Sequence, residues 1–289
     1  MSAEKMISIV TPSLNQGAFL GEALQSVREQ RYGTYEHIIL DGGSCDGSVA
    51  LLEQTSLTMA GNLSWRSHPD NGQSAALNEG FAQAKGDIIG WLNADDRYRP
   101  DCFAHVAQTF ARHPEIDVLY GDYTRMDQGG THLSLRREID FNHFVLKYHR
   151  VLYIPTTATF FRRHVFDDGN FLRQDLNYAM DLEFFLRLAR VGYRFHHLPR
   201  ILADFRVHAE SKSIQFLDRQ REEHRQVVLQ STPLAERIHP MPLRNLAASL
   251  LQVPAAALRY SEKLVHGCYL PERGASLSIH EERFGAQRS

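Results

Sequence analysis

Ile88-Ile89-Gly90-Trp91-Leu92-Asn93-Ala94-Asp95-Asp96 decides the reading of this chain: an apolar run of strand length closes in adjacent carboxylates. A second run, Glu36-His37-Ile38-Ile39-Leu40, ends the same way, in Asp41-Gly42-Gly43-Ser44-Cys45-Asp46-Gly47-Ser48. Buried strands that deliver acids and glycines at their carboxyl ends describe the rim of an open α/β sheet, where such sheets bind ligands. Two ionised carboxylates side by side repel each other, and a divalent cation relieves that repulsion. Glycines let backbone N–H groups approach a phosphate closely. These residues therefore point to a metal-dependent enzyme acting on a nucleotide-linked substrate. Each motif also has a plainer reading: Asp95-Asp96 as a solvated turn, and Ser44 or Asp46 as a helix cap.

Strand and helix signals alternate outward from these motifs. Met6 to Thr11 reads as a buried strand, and Phe19, Leu20, Ala23, Leu24 and Val27 recur at helical spacing. A helix follows Gly47, Leu63 to Arg66 is a short strand, and Ser74 to Ala84 is a helix that stops at Lys85-Gly86. Strands separated by helices of this length imply a parallel sheet with right-handed crossovers. Further on, Val118–Arg125, Thr131–Arg136 and Ala158–Phe161 read as strands. Asn177 reads as the cap of a helix that buries Leu182, Phe185, Leu186 and Ala189 and closes at Gly192. Tyr193 to Asp204 continues extended, and beyond Ser213 the composition shifts to helices and a polar tail.

Composition excludes several classes. A net charge of −2 leaves no basic excess to neutralise nucleic-acid phosphates. Cys45, Cys102 and Cys268 are odd in number without metal-ligand spacing, as expected of free thiols in a reducing cytosol. The opening Met-Ser-Ala-Glu-Lys-Met has no apolar signal core, and Leu246 to Leu258 is too short and interrupted to span a bilayer. Three further segments carry chemistry. Asp70, Gln73 and Asn78 flank the start of a helix and can face the same cleft, although a turn and cap also account for them. Asp181, in a helical first turn, is a dipole partner or a general base toward a hydroxyl. Arg206-Val207-His208 and the following Ser211, Lys212 and Ser213 offer a cation, an imidazole and hydroxyls.

The order Ser8 to Asn15, Asp41 to Ser48, then Asp70 to Asp96 resembles family 2 of the nucleotide-sugar glycosyltransferases, with agreement in spacing from residue 6 to about 213. The resemblance implies a GT-A (Rossmann-like), mostly parallel sheet flanked by helices at 1–213, with a helical extension at 214–289. It implies a cytoplasmic, inverting enzyme that uses a nucleotide-diphospho-sugar and Mg²⁺ or Mn²⁺. Asp41 is then the contact to the base, with Thr11, Pro12 and Asn15 lining the nucleoside pocket. Asn93-Ala94-Asp95 matches the family's Asp-x-Asp, which makes Asp95 the metal ligand and Asp96 its close neighbour. Asp181 becomes the base, Arg206 folds over the diphosphate, and His208 joins the metal.

Three positions depart from the family pattern. Asn93 replaces the first acid, Met180 stands where a Glu is usual before Asp181, and Leu77 stands where many relatives carry arginine. The processive signature Gln-x-x-Arg-Trp is absent, which predicts transfer of a single sugar. In the extension, Leu243, Leu246, Ala247, Leu250 and Leu251 form an apolar stripe beside Arg244, suited to packing, a homodimer or a membrane interface. The resemblance, and not the stripe itself, implies a glycan or lipid-linked acceptor in bacterial envelope polysaccharide or O-antigen synthesis; a lipid-linked acceptor would suit that location. A catalytically degenerate nucleotide-sugar binder that regulates or scaffolds an assembly is the alternative reading.

Overall fold

A computed structural model describes residues 4–58, 61–149, 151–209, 211, 215–231 and 241–268, apart from the side chains of 241–248. The first half runs β1 (Ile7–Ser13), α1 (Gly17–Arg28), β2 (Tyr35–Asp41), α2 (Ser48–Thr58), β3 (Leu63–Ser67), α3 (Gln73–Gln83) and β4 (Ile88–Trp91). The second half adds β5 (Arg97–Tyr98), α4 (Cys102–Arg112), β6 (Val118–Met126), β7 (His132–Arg136), α5 (His143–Tyr148), β8 (Thr159–Arg162), α6 (His164–Asp167), α7 (Met180–Val191) and β9 (Phe195–Arg206). Two helices close the described chain, α8 (Leu217–Gln230) and α9 (Met241–Val265).

The strands form one sheet in the order β3-β2-β1-β4-β8-β6-β9-β5, with β7 paired to β6. The expected parallel arrangement holds for β1 to β4, which are joined by helical crossovers. It fails beyond them: β8 runs antiparallel to both β4 and β6, β7 to β6 and β5 to β9, while β6 and β9 are parallel. The five-residue connection between β6 and β7 allows no helical crossover, so that pair must turn back on itself. Pro199 sits inside β9 because the register slips between Leu198 and Ile201, a bulge where its missing N–H goes unneeded. The sequence reading passed over β5, α4 and α5. Helix α4 buries Cys102, Phe103, Val106 and Phe110 on one stripe against the sheet.

Two packing features place the rim. Helix α3 lies hard on β1, where a Cβ on Gly80 would stand 2.3 Å from Val10 Cγ1. That close approach brings the first turn of α3 level with the carboxyl ends of β1 and β4. Helix α8 delivers Val227 and Val228 to the same core as Trp91, Phe161 and Phe184, so the chain beyond 213 packs on the sheet unit. The expected boundary near Ser213 and the polar tail lie outside the described residues.

Candidate active site

The rim is built at the carboxyl ends of β2, β1 and β4, where Asp41 lies opposite Ser13 and Trp91 opposite Val10. Asp41 and the Asn93–Asp96 turn therefore flank β1 on its two sides. Asp41 is wholly buried and takes hydrogen bonds from Ser44 N–H and Oγ, Gly43 N–H and Ser67 Oγ. Burial would raise its carboxyl, but these donors hold it below the ordinary carboxylate value. Its observed work is to shape the 42–48 loop, so the loop backbone, rather than the carboxylate, faces outward. Asn15 latches that loop to β1: its N–H donates to Ser44 Oγ at 2.7 Å and its Oδ1 accepts from Cys45 N–H at 3.0 Å. Asn15 does so with a φ of 52°, a left-handed conformation that asparagine tolerates. Asp46 bonds the first amide of α1 and both Ser48 groups at the start of α2, so its capping role is real.

Thr11 is not pocket lining. It is fully buried, and its Oγ1 meets His37 Nε2 at 2.9 Å beneath the rim. Pro12, the next residue, is half-buried at the strand end. Burial depresses His37 to about 3, so the imidazole is neutral. Asp70 closes the third edge, accepting from Gly72 N–H at 2.9 Å and pairing with Arg66 at 3.3 Å.

The two adjacent aspartates divide their work. Asp96 is 1% exposed; it accepts from Arg206 N–H at 2.9 Å and from Asn93 Nδ2 at 3.2 Å. Burial, then the charge of Asp95, pushes its carboxyl well up. Asp95 keeps a side chain 23% exposed and meets His208 Nε2 through Oδ2 at 3.0 Å. His208 is held in turn by the ring of Phe19, with centroids 4.8 Å apart. Among the described residues no group of three or more His, Cys, Asp or Glu converges on one point. A carboxylate and an imidazole still fit a hard divalent ion, because such ions take their remaining ligands from substrate phosphates and water. Gln73, in the first turn of α3, donates to Asn93 Oδ1 at 3.2 Å, and Trp91 Nε1 donates to the same oxygen at 2.9 Å.

Arg206 and Asn78 are placed differently from expectation. The Arg206 side chain is completely buried over the Phe19 ring. Its guanidinium donates to the Asp95 and Gln128 carbonyls at 2.8 Å and pairs with Glu22 at 2.8 Å. It rivets β9 to α1 and to the Asp95 turn instead of reaching a diphosphate. Asn78 exchanges two hydrogen bonds of 2.8 Å with the Leu172 backbone and pins the segment that leads into α7. Lys212, another expected cation, lies outside the described residues.

Asp181 lies in the first turn of α7, and the residues before the helix are organised by a group the sequence reading missed. Helix α7 begins at Met180, and Asn177 is not its cap. Instead Glu223 of α8 accepts the N–H groups of Asn177, Tyr178 and Ala179. No local pattern signals this cap, since it arrives from more than forty residues away. Asp181 is half-buried and accepts from Leu182 N–H at 2.7 Å; burial raises its carboxyl above the ordinary value, partly offset by His224. Ser74 Oγ meets Met180 Sδ at 2.7 Å, so the first turn of α3 touches Asn93 through Gln73 and the Asp181 helix through Ser74. The candidate metal turn and the candidate base thus share one scaffold.

Acids, an imidazole and glycine-rich turns at the carboxyl rim of a mixed sheet define a GT-A-like transferase fold. The profile of glycosyl transferase family 2 matches residues 8–169, more than half of the chain, and the protein belongs to that family. An uncharacterized glycosyltransferase of Mycobacterium tuberculosis is 32% identical over 199 residues, covering 66% of this chain and 71% of its own. The O-antigen biosynthesis protein RfbC of Myxococcus xanthus is 34% identical over 132 residues, 45% of this chain but 10% of that protein. A PGL/p-HBAD biosynthesis glycosyltransferase of Mycobacterium bovis is 34% identical over 121 residues, 42% of this chain and 47% of its own. Among solved structures, S. aureus TarS 1-349 with UDP-GlcNAc superposes with a TM-score of 0.64 at 14% identity, covering 92% of this chain and 76% of that one. Mannosyltransferase PcManGT from Pyrobaculum calidifontis with GDP-Man and Mn²⁺ superposes with a TM-score of 0.58 at 17% identity, covering 93% and 81%.

Proposed function

We propose that this family 2 enzyme transfers one sugar from a nucleotide-diphospho-sugar to a hydroxyl of a glycan or lipid-linked acceptor, with inversion, in bacterial envelope polysaccharide or glycolipid synthesis. The observation that carries the reading is the Asp95–His208 contact of 3.0 Å at the outward corner of the rim, scaffolded through α3 to the helix whose first turn holds Asp181. Asp95 and His208 would hold Mg²⁺ or Mn²⁺, which when bound neutralises charge on the leaving diphosphate. The Asp41–Ser48 loop and Asn15 seat the nucleoside. Asp181 takes the proton of the acceptor hydroxyl as that oxygen attacks the anomeric carbon from the face opposite the departing diphosphate. A carboxyl raised by burial is a stronger base than an exposed one, and no covalent enzyme intermediate is needed. The nucleotide sugars named with TarS and PcManGT, and the Mn²⁺ named with the latter, support this donor class.

The division into a catalytic unit at 1–213 and a helical extension at 214–289 belongs to the same reading, as does a cytoplasmic site at the inner membrane face. No helix among the described residues is long and apolar enough to cross a membrane. Helix α9 nevertheless turns Leu250, Val253, Tyr260 and Leu264 outward at 54–72% exposure, a stripe suited to a bilayer interface or a second copy. Of the stripe expected from sequence, Leu243, Leu246 and Ala247 lie outside the described side chains.

Calorimetry with UDP, GDP and dTDP, each with and without Mn²⁺, tests the donor site on wild type and Asp95→Ala. One nucleotide should bind in a metal-dependent way and be lost in the variant; no binding by folded protein would overturn the reading. Nucleoside diphosphate release on adding acceptor then separates a transferase from a binder that never turns over.

A further inference from the structure

Away from the rim, α5, α7 and α8 enclose a cavity of about 300 Å³. His143, Lys147, Arg173, Arg187 and Arg190 line it, against Glu183 as an acid. Two of these cations are already neutralised: Arg187 pairs with Glu183 at 2.9 Å, and Arg173 pairs with Asp175. Lys147 and Arg190 are not. Lys147 is 6% exposed, and its ammonium donates to the Ser231 carbonyl at 2.9 Å without a carboxylate among the described residues. Arg190 has no acidic partner among the described residues either, and its charge adds to burial in lowering Lys147. A buried ammonium is stable when paired, and here the lining acid Glu183 is already taken by Arg187 while Arg190 adds a like charge. Among the described residues this cluster lacks an anion for Lys147 and Arg190.

We propose that the α5–α7–α8 cavity binds a phosphoryl anion, held by Lys147 and Arg190 with Arg173 and His143 at its edge. The volume accommodates a phosphate or diphosphate with the first atoms of what it is attached to. Arginine supplies a planar fork and lysine a point charge, the pair that phosphate recognition commonly uses. Two sources carry this group: the phosphate end of an acceptor, or the headgroup of an anionic phospholipid. Helix α7 links the cavity to the proposed base, since Arg190 lies nine residues beyond Asp181, about 14 Å along the axis. The anion site stands apart from the donor reading because its detection needs no turnover.

The test is a calorimetric titration of inorganic pyrophosphate into the full chain, in wild type, Asp95→Ala, Arg190→Glu and Lys147→Met. A saturable site is expected that survives Asp95→Ala and weakens at least 10-fold in Arg190→Glu. Arg190 is exposed, so its variant folds even where Lys147→Met does not. No pyrophosphate binding, equal binding in Arg190→Glu, or loss only in Asp95→Ala would overturn the proposal. Co-sedimentation with phosphatidylcholine vesicles, with and without phosphatidylglycerol, names the source. Charge-dependent binding lost in Arg190→Glu assigns a headgroup. A raised acceptor KM with unchanged donor hydrolysis, and no vesicle effect, assigns the acceptor.

Discussion

The β1–β2–β4 rim and the α5–α8–α9 layer handle charge in opposite ways. On the rim the arginines are consumed internally: Arg66 by Asp70 and Glu79, Arg97 by Glu22 and Asp204, Arg206 by Glu22. What remains facing outward is the Asp95 carboxylate with an imidazole beside it. In the helical layer the cations turn inward. Arg259 and Lys263 of α9 both meet the buried Glu138, at 2.6 and 3.0 Å, while apolar side chains of the same helix face out. Lys147 of α5 is buried as well, with no carboxylate partner among the described residues. A site points to its ligand by the charge it leaves unmatched: on the readings proposed above, the rim takes a cation and the helical layer an anion and an apolar surface.

The contrast can be broken at either end. Replacing Asp181 with Asn should cost the largest factor, about two to four powers of ten in kcat, while nucleotide binding measured by calorimetry stays unchanged. Glu138→Ala strands two buried cations and should destabilise the fold by about 3–5 kcal/mol, read as a lowered denaturation midpoint. Donor affinity of the surviving folded fraction should not move, because the rim shares none of these groups.

A third effect is graded with pH. His37 is neutral in the fold, with a pKa near 3 against an ordinary 6.5. Below pH 6.5 the unfolded chain therefore binds a proton that the folded chain refuses. Stability should fall by about 1.4 kcal/mol per pH unit as pH drops from 6.5 toward 3, and be constant above 6.5 as far as this group is concerned. Urea denaturation of wild type and His37→Gln between pH 7 and 5 checks this; an unchanged slope in the variant would place the acid sensitivity elsewhere. Glu223→Ala removes the cap of α7 and should cost about 1 kcal/mol, with a fall in kcat because Asp181 loses its fixed approach. Smallest of all, Tyr260→Ser with Leu264→Ser should shift stability by less than about 0.5 kcal/mol, since both are exposed. The same pair should nevertheless weaken vesicle binding or self-association by sedimentation.

Most of the first half was legible because local pattern and tertiary role coincide there. Ile38, Ile39 and Leu40 are buried on both faces of the sheet, so an unbroken apolar run meant a parallel strand. Asp46 was readable as a cap because its partners, Gly17 and Ser48, follow strand ends the pattern had already marked. The second half was less legible because its determinants are distant. Strand β5 exists through its pairing with β9, and nothing in two residues announces that; β8 was legible as a strand, but not its antiparallel pairing with β4 and β6. Asn177 has the right chemistry for a cap, yet Glu223 takes the position. Arg206 sits in a polar, ligand-like segment, yet Phe19, Glu22 and two carbonyls hold it inside.

By itself the amino-acid sequence determined the α/β class, the glycine and carboxylate turns at the strand ends, and the family-like order of motifs. These are consequences of periodicity and turn chemistry, which act within a few residues. Tertiary structure alone decided which carboxylate of Asp95-Asp96 faces outward, which arginines are spent on the protein, and that Lys147 is buried without an acid among the described residues. Exposure and charge pairing are properties of what surrounds a side chain. That surrounding is assembled from segments far apart in the chain, so no local pattern contains it.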